Sequence, residues 1–429
     1  MTFGFTNSFL NWYRTGKRTY PELKILSMEE EVKVKRPHLI LFLNILSTMI
    51  VGFAVDIFVP SLPALTTYFQ SAPSVTRLAV TVYLVSYGIF QMIYGSLSDS
   101  FGRRKVIIFC LGAYAVCSYV ITWSTGIYMF LFIRFLQGAF TAGIGVVNRA
   151  LLSDSFSGKA LKKYSSYILM AWGMGPILAP YIGGYLQHFI GWKACFYFIA
   201  IIALIVFFLF IFFLDETHSK VSPFKAHIAF QSYKTIFSNT HFIAGAILCG
   251  FAYAFITIYN VVGPYLVQTE LGYNSIVYGR IALILGVAWL IGILIYRTML
   301  AKAHIKNFLS EAIIICFFIA VVMLFLGIFN IFNLLTTSLP SILIFIGGAI
   351  IFTHSFAKTL GLLPTIGGSA SAALGSLFSI ISGLSSGVAS FLEAKSLVPL
   401  ALAYLCLIVL SFVIYRVFLR RFLIEEGQG

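Results

Sequence analysis

Charge is what this sequence has least of. Lys, Arg, Asp and Glu make up 10% of its 429 residues, where a soluble globular chain carries about 25%. Acidic residues are the scarcer sign, 14 against 29 basic. Hydrophobic residues reach 60%, and 43 residues are Phe, more apolar surface than an aqueous fold has interior to bury. Cysteine is sparse as well. Cys110, Cys117, Cys195, Cys249, Cys316 and Cys406 all fall in apolar runs without a CxxC pair, which excludes a disulfide framework and a metal site. They read as small buried apolar residues. There is no G-x-x-x-x-G-K-[ST] phosphate loop, no H-E-x-x-H helix, no G-x-S-x-G elbow and no pair of intramembrane aspartates. The chain is therefore not expected to be an enzyme, and no cofactor or metal is expected.

What is present in quantity is apolar sequence long enough to cross a bilayer, which takes about 20 residues per helix. Twelve such runs fall at 39–68, 76–98, 104–123, 126–153, 161–187, 192–214, 241–269, 275–299, 309–332, 338–360, 365–392 and 397–419. An even number leaves both termini on one side. With that side cytoplasmic, 24 of the 29 Lys and Arg lie in or beside cytoplasmic segments. Arg77, Lys193, Arg280 and Lys395 lie at the outer side and Arg134 lies inside a run. This is the positive-inside pattern. It accounts for the basic balance without a nucleic-acid partner. Residues 1–37, with seven basic and four acidic residues, are too long and too charged for the n-region of a cleaved signal. They read as a cytoplasmic extension near the anionic leaflet.

The longest polar break between runs, 215–240, divides the chain six and six: halves at 38–214 and 241–420, a linker between them, and a tail at 421–429. Shifting the first half by 204 residues lays Asp56-x3-Pro60 over Asn260-x3-Pro264. Parallel six-helix repeats with a site between them near the midplane characterise one large transporter architecture. Glycine and small residues crowd 173–184 and 367–387, where they let helices approach closely; Pro176 and Pro180 permit bends.

Among the acids, Asp56 alone sits well inside a run. An ionisable residue there costs roughly 2.5–3.5 kcal/mol on insertion scales and marks a functional site by default. Arg134 is the buried cation of the fourth run. At about 1.5 Å per residue, Asp56 lies about 18 Å and Arg134 about 12 Å from the outer ends of their helices, so a charge pair or shared network between them is expected. Two readings stay open: a permanent ion pair that fixes helix packing, or an Asp56 that gains and loses a proton, with Arg134 modulating it. Gln137, one turn from Arg134, either orients the guanidinium, binds substrate or packs. Asn260 and Tyr259, with Tyr83, Trp172 and Trp289, are candidates to line a cavity for a planar or amphipathic molecule. His354 is either a proton relay and cavity residue or a packing histidine.

Four stretches carry a resemblance. GSLSDSFGRRK (95–105) resembles the cytoplasmic loop signature of the major facilitator superfamily, G-x-L-a-D-r-x-G-r-R/K, with Ser100 where a basic residue is usual. RFLQGAF (134–140) resembles its R-x-x-Q-G motif. GPILAPYIGG (175–184) resembles the G-P-x-x-G-G element of its drug:proton antiporters, and FLDET (213–217) closes the sixth run as in those proteins. FVPSLPAL (58–65) with GGSASAALG (367–375) is similar to the bicyclomycin/chloramphenicol-resistance branch.

The resemblance implies an all-α membrane protein with twelve transmembrane helices in two pseudo-symmetric six-helix halves, both termini cytoplasmic, in a bacterial-type inner membrane. It implies alternating access and export of an amphipathic small molecule in exchange for protons, by a monomer. Proton-coupled uptake of a metabolite, amino acid or siderophore-like compound is the alternative, and a non-transporting sensor a further one. The implied gate comprises Gly95, Asp99, Gly102, Arg103 and Arg104. Asp99 would sit at the cytoplasmic start of the eleventh helix, where the helix dipole favours an anion, and latch the halves while the protein faces outward. Gly175, Pro176 and Gly183 would shape the half-to-half contact on the other side.

Overall fold

The computed structural model describes residues 36–217, 226–301 and 308–419. The extension up to residue 35, part of the 215–240 break, the loop holding Lys302 and Lys306, and the tail from 420 lie outside the described residues. The described chain is helical: α1 (Pro37–Asp56), α2 (Leu62–Phe69), α3 (Pro73–Phe101), α4 (Arg103–Val120), α5 (Ile127–Ser155), α6 (Gly158–Phe189), α7 (Trp192–Phe213), α8 (Ala226–Ser238), α9 (Thr240–Tyr265), α10 (Ser275–Ala301), α11 (Phe308–Ile328), α12 (Leu334–Gly361), α13 (Gly367–Ser390) and α14 (Leu397–Ile414). Helices satisfy their own backbone polar groups, as a spanning segment in lipid must.

Eleven helical stretches among the described residues are long and apolar enough to cross a membrane. The remaining long helix, α6, has 32 residues but is diluted by the glycines and prolines of its middle. The 215–240 break, expected as linker, contains a helix of its own, the 13-residue α8.

The first apolar run is broken. α1 stops at Asp56, a 3-10 turn covers Val59–Ser61, and α2 resumes at Leu62. Pro60 and Pro63 lack the N–H groups that would continue the ladder. The equivalent place in the seventh run is also irregular, with Pro264 near the end of α9 and a π turn over Leu266–Glu270.

Packing falls into two groups, α1–α7 and α9–α14. They meet along two long seams, α3 on α13 and α6 on α10, which the 204-residue repeat relates to one another. The α3–α13 seam carries a hydrogen bond from Ser376 Oγ to Gly88 O (2.7 Å) and a Thr81–Ser386 hydroxyl pair at 3.1 Å. In the α6–α10 seam, Ser275 Oγ donates to Gly184 O (2.9 Å), Gly279 lies on Pro180, and Gly286 lies on Ile177. This corrects the expectation for Gly175 and Gly183. Both face α1 inside the first group, Gly175 against Gly52 and Gly183 against Ile57 O. One residue turns a helix by about 100°, so Gly184, not Gly183, meets the other half.

Both seams are tight at the end bearing Arg77 and Ser275 and stop short of the basic end. Gly367 and Gly368, at the start of α13, have open space around them.

Candidate functional site

The break in the first run decides what stands around it. A helix end leaves its last carbonyls without intrahelical partners, and here side chains from other helices supply the donors. Arg134 Nη1 donates to Ala54 O (3.2 Å), near the end of α1. From the second half, Gln268 Nε2 donates to Pro60 O (2.9 Å) and Tyr265 Oη to Leu62 O (3.2 Å). Asp56 itself is 2% exposed, and its Oδ1 accepts from Asn260 Nδ2 at 2.7 Å. The two residues that the repeat makes equivalent are thus bonded to each other across the interface between the halves.

The expected Asp56–Arg134 ion pair is not formed in this structure. Arg134 is 1% exposed. Its Nη1 also donates to Gln137 Oε1 (2.9 Å), and its guanidinium lies 4.3 Å from the centre of the Phe58 ring and 4.4 Å from that of Tyr83. The two residues lie on neighbouring helices, but the guanidinium is turned to the broken helix end and to two ring faces. Its Nη2 is buried without a hydrogen-bond partner. Gln137 relays the chain onward, donating to Ser118 Oγ (2.9 Å); fully buried, it orients Arg134 and does not line the cavity.

Two cavities with shared lining residues lie between the halves, the first of them lined by Asn260. One is lined by Trp172, Pro176, Tyr253, Tyr259, Asn260 and Trp289, among others; the second, sharing Trp172, Pro176 and Tyr253, includes Tyr83 and Tyr87. Trp172 and Tyr253 stack between them, with ring centres 6.0 Å apart. Trp289 stands edge-on to Tyr253 and to Phe345, each at 6.4 Å. Tyr259 Oη is buried with no hydrogen-bond partner. Five expected residues are therefore gathered at one place, Tyr83, Trp172, Tyr259, Asn260 and Trp289, with Asp56 directly behind Asn260.

His354 is not among them. It lines a separate recess with His241, Ser355, Lys358 and Leu419, toward the basic end of the second group. Reading its height along α12 was not enough, because its face of the helix points away from the interface.

Of the residues expected to form a gate, Asp99, Gly102, Arg103 and Arg104 make their contacts within one half. Asp99 pairs with Arg103, which also bonds Asp154 Oδ2 (3.1 Å) and Ser98 Oγ (2.6 Å). Arg104 donates to Leu214 O (2.6 Å) and Ile211 O (2.8 Å) at the end of α7. Gly102 takes φ +91°, and a side chain there would meet Glu216. Glu216 accepts the backbone N–H groups of Arg103 (3.0 Å) and Arg104 (3.2 Å), filling the orphan donors at the start of α4. Asp99 makes no bond to the start of α13 in this structure; its side chain is 54% exposed. Gly95 faces Tyr233 of α8, whose Oη lies 4.0 Å from where a Cβ would stand.

Sequence reasoning missed the buried amide network between α1 and α5. Asn44 Nδ2 donates to Asn148 O (2.7 Å), Ser47 Oγ to Asn148 Oδ1 (2.9 Å) and Asn148 Nδ2 to Thr48 Oγ1 (3.1 Å). Two asparagines inside apolar runs were the available signal.

A family model described as Major Facilitator Superfamily matches residues 45–390. The chain belongs to the major facilitator superfamily. This superfamily member is 31% identical over 229 residues to the bicyclomycin resistance protein homolog of Haemophilus influenzae, a match covering 52% of the chain and 57% of that relative. It is 24% identical to multidrug resistance protein D of Escherichia coli, over 82% of the chain and 89% of the relative. Among solved structures, it superposes on a D-xylose–proton symporter with a TM-score of 0.68 at 17% identity, covering 89% of this chain and 97% of that one. An inward-open structure of the xylose transporter XylE from E. coli gives 0.68 at 14% identity, covering 88% and 95%. The protein is a membrane transporter of that fold, a multi-pass protein of the bacterial inner membrane.

Proposed function

We propose that the protein exports an amphipathic, ring-bearing small molecule in exchange for protons, by alternating access between two six-helix halves. In this reading α6 is the twelfth span, kept polar because it faces the cavity and the other half, and both termini are cytoplasmic. Two relatives named for bicyclomycin and multidrug resistance support the export direction.

The observation that carries the reading is the 2.7 Å hydrogen bond from Asn260 to Asp56. It joins a carboxyl of one half to an amide of the other at the wall of an aromatic cavity. An ionised carboxylate accepts that bond well; a protonated one accepts it less well and donates elsewhere. The protonation state of Asp56 thereby changes how strongly the halves hold together, which is what coupling requires. Arg134, with Nη2 free of partners, is placed to steady the ionised form when the halves re-orient. The rings of Trp172, Tyr253, Tyr259 and Trp289 would bind substrate by stacking and by ring-face attraction for a cation.

The test is Asp56→Asn in proteoliposomes. Transport driven by an imposed ΔpH should fall to background, while substrate–substrate counterflow without a gradient persists. ΔpH-driven transport at the unmodified rate would refute Asp56 as the proton site. Imposing the gradient in each direction distinguishes export from uptake.

A further inference from the structure

Arg77 and Arg280 stand at the outer ends of α3 and α10, and the 204-residue repeat brings them within one position of each other. Each reaches across one of the two seams, on very different terms. Arg77 is 4% exposed. Its Nη1 donates to Leu392 O (2.8 Å), just beyond α13, and, at 3.5 Å, to the carbonyl of Ser390, the last residue of α13. Its guanidinium lies 4.1 Å from the centre of the Tyr265 ring, and Tyr265 is tied to α2, its Oη 2.6 Å from Thr66 Oγ1. A cation at a helix C-terminus is favoured by the dipole. A buried cation that loses its partners leaves both itself and those carbonyls unsatisfied, so the contact resists opening. Arg280 is exposed and makes a 3.3 Å bond to Tyr185 Oη, a rim contact of the kind that contributes little. Beneath it, the α6–α10 seam is a slide of small residues, Gly184, Gly279 and Gly286, and separating those surfaces breaks few polar contacts.

We propose that Arg77 is the latch of the outer seal and Arg280 a weak counterpart, so that the outer side opens first along the α6–α10 seam and substrate leaves there. The assignment of an outer side and of two alternating states rests on the transport reading. The test therefore measures accessibility and not transport, and the two can fail separately.

The experiment uses the full chain in proteoliposomes with single reporters, Ser386→Cys beneath Arg77 and Ser275→Cys in the other seam, and a membrane-impermeant maleimide added outside. Labelling of the parent chain, with its native cysteines, is subtracted. Ser275→Cys is expected to label several-fold faster than Ser386→Cys. Adding Arg77→Ala should raise labelling at the Ser386→Cys reporter about tenfold, the consequence of losing a charged hydrogen bond. Arg280→Ala should change labelling at Ser275→Cys by less than about threefold. Where Arg77→Ala does not insert stably, Tyr265→Leu removes the ring beneath the guanidinium and should raise Ser386→Cys labelling in the same direction. Equal labelling of the two reporters, or no rise with either variant at the Arg77 latch, would overturn the proposal.

Discussion

The first and seventh runs occupy equivalent places in the two halves, and each loses regular helix at a proline, Pro60 in one and Pro264 in the other. At the matched position, one carries a carboxyl and the other an amide. Around Asp56 the neighbours are polar and charged, with Arg134, Gln137 and Ser118 in a hydrogen-bonded chain. Around Asn260 they are rings: Tyr253, Tyr259 and Trp289. The repeat has been divided into two tasks. In the transport reading proposed above, one half holds the group that would gain and lose a proton, and the other contributes an amide and the rings of Tyr253, Tyr259 and Trp289 to the cavity wall. A symmetric pair of carboxyls would repel when both ionised, whereas an acid and an amide hold together.

That division can be broken from either side. The largest effect is expected for exchanging the two residues, Asp56→Asn with Asn260→Asp. The hydrogen bond can re-form, but the carboxyl now belongs to the other half, among the rings of the cavity wall, so ΔpH-driven transport in proteoliposomes should stay at background. Restored coupling would show that the carboxyl's half is immaterial. Arg134→Ala should cost about 1–3 kcal/mol, because it leaves Ala54 O and Gln137 Oε1 buried without their donor; melting in detergent would report it. Trp289→Ala should weaken substrate binding about tenfold, in line with the loss of a buried aromatic contact, with the coupling ratio unchanged in a proton-to-substrate flux measurement. Tyr259→Phe removes a hydroxyl that has no protein partner, so melting should be unaltered while affinity falls about threefold to fivefold for substrates with a polar group. The smallest change is expected for His354→Gln, which lies outside the cavity: affinity within about twofold of the parent.

Much of this was legible along the chain. Eleven of the apolar runs, the division into two packing groups and the 204-residue register follow from apolar length and from matched prolines, both one-dimensional signals. Asp56 and Asn260 were legible as equivalents, yet nothing in the register says that equivalents touch. That depends on both lying at the axis relating the halves. Arg134 was legible as buried, but depth counting carries no helix rotation, and the unpaired carbonyls made by the break at Asp56 drew the guanidinium away from an ion pair. The same blindness to rotation misplaced Gly175, Gly183 and His354. At the basic end, Asp99, Arg103 and Arg104 keep their bonds within one half in this conformation, and a latch between the halves is carried by the motif alone.

The two hydrogen bonds by which Glu216 accepts the N–H groups of Arg103 and Arg104 bear on biosynthesis. Glu216 lies just beyond α7, the last helix of the first group, and it staples that end back to the turn between α3 and α4. As the chain leaves the ribosome, this clasp is available before α9 has been made, so α1–α7 can settle as a closed unit awaiting their partner. A half completed in order does not hold its interface open to misplaced later helices, and the second half then folds against a template already in place.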